Sequence, residues 1–175
     1  EPIWNQHSDG LLYRHVNEQW RPDKIYWRKL HDDQADTLIC AEEDGGFFLS
    51  MHLSQSEQLV FLRSADHVTS EVSYLPIDDF STTPVMISPR SSGHEYDVEH
   101  YQDQLLIRSN LRQPNFDLFT APLSAHSQAQ WQPFLEGDDN HYLVGHLVYE
   151  NHVFVPQRVD GLDQILVIDQ HQQQH

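Results

Sequence analysis

Three stretches of this chain repeat one another at intervals of 48 and 46 residues: Phe48-Leu49-Ser50-Met51-His52-Leu53, Tyr96-Asp97-Val98-Glu99-His100-Tyr101 and Tyr142-Leu143-Val144-Gly145-His146-Leu147. Each is followed by an apolar run: Leu59–Ser64, Leu105–Asn110 and Val153–Arg158. A third run follows a polar turn, at Glu71–Leu75, Phe116–Phe119 and Gln164–Ile168. A fourth closes two of the units, at Pro84–Ile87 and Trp131–Leu135. Within the runs the hydrophobic period is mostly two, the spacing of a strand rather than a helix. A four-strand unit recurring at nearly fifty residues is the pattern of a propeller blade. One twisted four-stranded sheet has two apolar faces and buries neither alone, so neighbouring sheets must bury them face to face. A β-sandwich also has many short strands, but it needs no fixed repeat.

The predicted fold class is therefore all-β: a partial β-propeller of about three and a half four-stranded antiparallel blades. Residues 1–41, with strands at Leu11–Val16, Lys24–Leu30 and Thr37–Ala41, read as the later part of one blade. Blades follow at 46–89, 94–136 and 141–170, the last without its fourth strand. Gly45-Gly46 and Asp160-Gly161 mark tight reversals, because glycine accepts positive φ. The His171-Gln172-Gln173-Gln174-His175 end is a low-complexity, solvated tail rather than a metal tract. Propellers close with four to eight blades, so this count reads as a fragment. Uncovered sheet faces and open strand edges predict self-association.

Composition narrows the function. Hydrophobic residues make up 38% and aromatics 11%, enough for a core. A net charge of −17 argues against nucleic acid and anionic membrane as partners. Cys40 stands alone, so no internal disulfide or zinc-type cysteine cluster can form, and a reducing, cytoplasmic setting is expected. No apolar run approaches the ~20 residues of a membrane span, and no signal-peptide pattern is present. The chain opens on Glu1 rather than Met, which reads as a processed or excised segment. Nothing in the sequence calls for a cofactor.

The richest chemical stretch is His94-Glu95-Tyr96-Asp97-Val98-Glu99-His100. On a strand, His94, Tyr96, Val98 and His100 face one way, and Glu95, Asp97 and Glu99 the other. The end histidines lie roughly 20 Å apart at ~3.3 Å per residue, too far to share a metal. The stretch reads either as a blade strand with a polar face or as an acidic surface lining a channel or facing another domain. Glu95, Asp97 and Glu99 are the candidate residues of that surface. Trp20-Arg21-Pro22-Asp23 is either an ordinary long hairpin or an exposed connection toward a partner. Arg108-Ser109-Asn110 with Asn115-Phe116 reads as hairpin chemistry. Ser50, Ser64 and Ser70 have no positioned base, and Cys40 reads as a small buried residue. Trp4, Trp27, Trp131, Tyr74, Tyr142 and Tyr149 read as packing aromatics.

A series of segments carries a family resemblance. Phe47-Phe48-Leu49-Ser50 leads to Thr69-Ser70-Glu71-Val72 and Ser88-Pro89-Arg90. His94 through His100, Ile107-Arg108-Ser109-Asn110, Asn115-Phe116 and Arg158-Val159-Asp160-Gly161-Leu162 follow, with Tyr13-Arg14-His15 and Ile25-Tyr26-Trp27-Arg28 upstream. In this order and spacing they resemble the propeller domain of the oligopeptidase B branch of the prolyl oligopeptidase family of serine peptidases. The resemblance implies a seven-bladed propeller capping an α/β-hydrolase domain. It also implies cleavage of short peptides after Arg or Lys, with the propeller restricting access by size. The chain has no Gly-x-Ser-x-Gly elbow, so no catalytic residue transfers to any position here, and the segment alone is expected to be inactive. The resemblance makes the hydrolase domain and short basic peptides the expected partners. A non-enzymatic, protein-binding propeller and a degenerate remnant are the competing readings.

Overall fold

The computed structural model describes residues 1–175. Sixteen strands form its regular structure, with one 3₁₀ turn at Gln128–Gln130 and no α-helix. The chain divides into two compact units, Glu1–Ser92 and Gly93–His175.

In the first unit, β1 (Ile3–Trp4), β2 (Gly10–Val16), β3 (Pro22–Lys29) and β4 (Thr37–Ala41) form one sheet in sequence order. A second sheet, also in sequence order, holds β5 (Phe48–Leu53), β6 (Leu59–Ala65), β7 (Ser70–Pro76) and β8 (Val85–Ser88). All pairings are antiparallel. The first sheet is more than the remnant read from the sequence, because Ile3 and Trp4 pair with Leu12 and Leu11. Two residues are too few to display a period. Leu12 and Ile25 of one sheet pack with Leu49, Val60, Leu62 and Leu75 of the other, and Phe80 joins them. β6 is buried along almost its whole length, which is why it reads as a continuous apolar run rather than an alternation. Cys40 packs at the edge of this core, half-buried, and burial pushes its thiol up to about 11.

In the second unit, β9 (Tyr96–Tyr101), β10 (Gln104–Ser109), β11 (Asp117–Pro122) and β12 (Gln132–Leu135) form one antiparallel sheet. The other holds β13 (His141–Leu143), β14 (Leu147–Tyr149), β15 (His152–Val159) and β16 (Leu162–Ile168). Its core joins Tyr101, Leu106 and Leu118 to Leu143, Val148, Val153 and Val155.

β13 and β14 are two halves of one interrupted strand, because both pair with β15. Leu143 faces Gln157 and Leu147 faces Phe154, so Val144-Gly145-His146 opposes only Val155-Pro156. This is a bulge. The carbonyl of Pro156 accepts from the Val144 N–H at 2.9 Å, so the side of β15 facing the interrupted strand is the side where Pro156 has no N–H to give.

Turn chemistry agrees with the sequence at Asp160-Gly161, where φ is 50° and 80°. It differs at Gly45-Gly46, neither of which has positive φ. There Asp44 makes the turn: its carboxylate accepts from Gly46 N–H at 2.8 Å and its carbonyl from Phe47 N–H at 3.0 Å. The 171–175 tail folds back on β16, with Val167 and His175 exchanging backbone hydrogen bonds at 3.1 and 2.9 Å. Asp169 caps that reversal by accepting from the N–H groups of His171 and Gln173. Of the packing aromatics, Trp131 and Tyr74 are buried and Trp27 stands edge-on to Phe80 at 5.3 Å. Trp4, Tyr142 and Tyr149 are exposed, contrary to expectation.

Candidate functional site

Strand β9 lies at an edge of its sheet. Its alternation follows the sequence: Tyr96, Val98 and His100 are buried, as is the preceding His94, while Glu95, Asp97 and Glu99 keep partial exposure. The three carboxylates do not form a uniform acidic row. β9 pairs with β10 so that Asp97 lies directly across from Arg108. Arg108 donates from Nε and Nη2 to Asp97 Oδ2 at 3.0 and 2.7 Å, and from Nη1 to the Leu143 carbonyl at 2.8 Å. Its guanidinium lies 4.1 Å over the Phe116 ring. His146 approaches from the bulge, with Nδ1 3.0 Å from Asp97 Oδ1. Burial alone would push the Asp97 carboxyl up; the His146 ring and the Arg108 charge outweigh it and hold the group at about 2. The acidic face therefore rests on Glu95 and Glu99, while Asp97 ties β9 to β10 and to the neighbouring sheet.

His94 lies on the other face. Its Nε2 is 2.8 Å from Ser109 Oγ, and its ring stacks on Tyr96 at 5.0 Å. Burial pulls its pKa down. This histidine–serine contact is no nucleophile: Ser109 is fully buried, and its Oγ already accepts from Leu111 N–H at 3.1 Å. His94 Nδ1 faces the Gln128 amide at 3.1 Å, so both ring nitrogens are engaged within the fold.

Two further charge clusters escaped sequence reading. Asp117, buried, holds Arg112 at 2.9 Å, the Gln113 amide at 3.0 Å and the Gly137 N–H at 2.8 Å. In the first unit, Arg90 pairs with Glu42 and Glu71 and lies 4.1 Å over Phe47. Burial raises the Glu42 carboxyl, but Arg90 and Ser64 prevail and hold it low. Arg108 was legible in principle: an arginine directly after the apolar run Leu105-Leu106-Ile107 on a strand needs a charge partner across the sheet. The first-strand alignment obscured which one. Pairing sets Ser50 opposite Arg63 and Asp97 opposite Arg108, one residue away from the alignment that matches Phe48 to Tyr96.

Repeated four-stranded antiparallel sheets, with arginine–carboxylate clasps and no α-helix, define a propeller segment. The chain belongs to the family described as prolyl oligopeptidase, N-terminal β-propeller domain, whose model matches residues 1–175. Protease 2 of Moraxella lacunata is 31% identical over 94% of this chain and 24% of its own length. Dipeptidyl aminopeptidase BI of Pseudoxanthomonas mexicana is 26% identical over 76% of this chain and 18% of its own. The structure of oligopeptidase B from Leishmania major superposes with a TM-score of 0.89 at 22% identity, covering 97% of this chain and 24% of that one. The chain thus spans about a quarter of the length of Protease 2 of Moraxella lacunata and of oligopeptidase B from Leishmania major.

Proposed function

We propose that this chain is the propeller portion of a longer serine oligopeptidase that cuts short peptides after arginine or lysine, in the cytoplasm. In this reading the propeller restricts access to a separate α/β-hydrolase domain. The observation that carries it is the family match along the whole chain together with the 31% identity to Protease 2. The sheet of β13–β16 adds support. Leu147, Tyr149, Leu162 and Ile165 are exposed there, and Ile165 borders a hollow of about 560 Å³ with Val144 and Pro156. Apolar surface of this kind suits packing by a further part of a longer protein, or by a second copy when the chain stands alone.

Glu95 and Glu99 take the steering role in this proposal. Both sit on the edge strand of their sheet, and if that edge lines the access route this reading requires, two carboxylates within a chain of net charge −17 concentrate cationic peptides there. Asp97 contributes little, because Arg108 compensates its charge. In the complete enzyme, Glu95→Gln with Glu99→Gln is expected to lower kcat/KM for an arginine peptide on the order of tenfold at low salt. The difference should shrink at physiological salt, where the Debye length is about 8 Å. Unchanged kcat/KM and unchanged salt sensitivity would remove the steering role.

A further inference from the structure

The β2–β3 hairpin holds a tryptophan in water. Trp20 is 87% exposed, more than any other large apolar side chain of the protein. Its backbone sits in the left-handed region at φ 60°, where a tryptophan is strained. The loop is built to keep it there. Asn17 Oδ1 accepts from the N–H groups of Gln19 and Arg21 at 2.9 and 3.1 Å, and the Asn17 carbonyl accepts from Trp20 N–H at 2.9 Å. Asn17 N–H in turn donates to the Arg21 carbonyl at 2.9 Å. Arg21 anchors the tip sideways, 4.1 Å over the exposed Phe48 ring.

A groove of about 420 Å³ opens beside this tip, lined by Gln19, Arg21, Lys24, Glu42, Glu43 and Asp44 among others. Several of its charges are already engaged. Glu42 is held by Arg90, Asp44 caps its own turn, and the neighbouring Asp23 meets His15 at 2.7 Å. Glu43 in the groove and Glu18 in the loop are exposed, and neither side chain pairs with another group. Acids outnumber bases here even with Lys24 and Arg21 counted.

We propose that this hairpin tip and groove dock an extended peptide segment carrying arginine or lysine. The Trp20 ring stacks on the guanidinium or packs on the lysine stem, and Glu18 and Glu43 meet the charge. An indole fixed in advance loses little entropy on binding, and a negative rim selects the sign of the partner. The site stands apart from the peptidase reading. It shares its ligand class with that reading, so the test blocks turnover and reads only the change at Trp20, and the two proposals fail separately.

The test is direct binding of an oligo-arginine peptide to the complete protein after treatment with a serine-reactive phosphonate, so that the peptide is not cut, with an oligo-glutamate peptide of equal length as control. Trp20→Ala is expected to weaken oligo-arginine binding about five- to tenfold. Glu18→Gln with Glu43→Gln should weaken it and flatten its salt dependence. Trp20→Gly should weaken binding while raising Tm, because glycine relieves the left-handed strain. Wild-type affinity in Trp20→Ala would overturn the proposal. So would a lower Tm in Trp20→Gly, which would mark a structural role. A dimer seen in sedimentation without peptide and lost in Trp20→Ala would replace the peptide with a second copy and overturn it too.

Discussion

Replacing Arg108 by methionine is expected to cost about 2–4 kcal/mol of unfolding free energy. Methionine keeps much of the packing volume over Phe116 but removes every hydrogen bond. The Leu143 carbonyl then loses its 2.8 Å donor, and Asp97 keeps only the His146 ring beside it. Removing one partner of a fully buried pair costs ~3–5 kcal/mol. The Arg108 side chain is 14% exposed and that of Asp97 36%, so water offsets part of the loss. The pH dependence follows from the same clasp. Asp97 titrates at about 2 in the fold against 3.8 ordinarily. Its ionised form therefore stabilises the protein above pH ~4, and this contribution is lost as the pH falls through about 2. In Arg108→Met the burial of Asp97 is opposed by less charge, so acid unfolding moves to higher pH. Urea denaturation of wild type and variant, at neutral pH and along the acid limb, checks both effects. A variant within about 0.5 kcal/mol of wild type, the range of an ordinary surface change, would show that the clasp does not join the two sheets.

Gly137→Ala is expected to cost at least as much as the upper end of the ~1–3 kcal/mol typical of overpacking. A Cβ there would lie 2.1 Å from the Phe116 carbonyl oxygen and 2.2 Å from Gln113 Nε2. Neither can yield cheaply. The Phe116 carbonyl accepts from Gln113 at 2.7 Å, Phe116 itself is left-handed at φ 67°, and Gly137 N–H is committed to Asp117. Gly145→Ala is the matched control. A Cβ at Gly145 meets nothing within 4 Å and its φ is not positive, so its effect should stay within about 0.5 kcal/mol. Thermal unfolding of the pair separates them: a large fall in Tm for Gly137→Ala alone fits this account, and equal behaviour contradicts it.

What the sequence disclosed was local. Period two in Leu11–Val16 or Tyr96–Tyr101 states which side chains share a face, and burial follows that pattern along β9. Asp160-Gly161 announces its own turn through φ. What it concealed was relational. The choice of Asp97 for Arg108 depends on pairing register, and an alignment anchored on aromatic residues misses it by one position. His146 reaches Asp97 only because the strand breaks opposite Pro156. A proline in the middle of Val153–Arg158 was the available signal for that break. Gly45-Gly46 marked a real reversal, but Asp44 makes it without positive φ. The tail reads as low-complexity and solvated, and it is exposed, yet its backbone hydrogen bonds to Val167 and Asp169, which ignore side-chain identity, were not legible in its composition.

Access through the propeller is tested most directly by peptide length. The complete protein is assayed on a ladder of arginine-containing substrates, from a tripeptide to an unfolded small protein, each with one cleavable bond of the same local sequence. The account predicts efficient cleavage of the short members and a steep fall in kcat/KM as length grows, although the bond cut is unchanged. Equal kcat/KM along the whole ladder would contradict it.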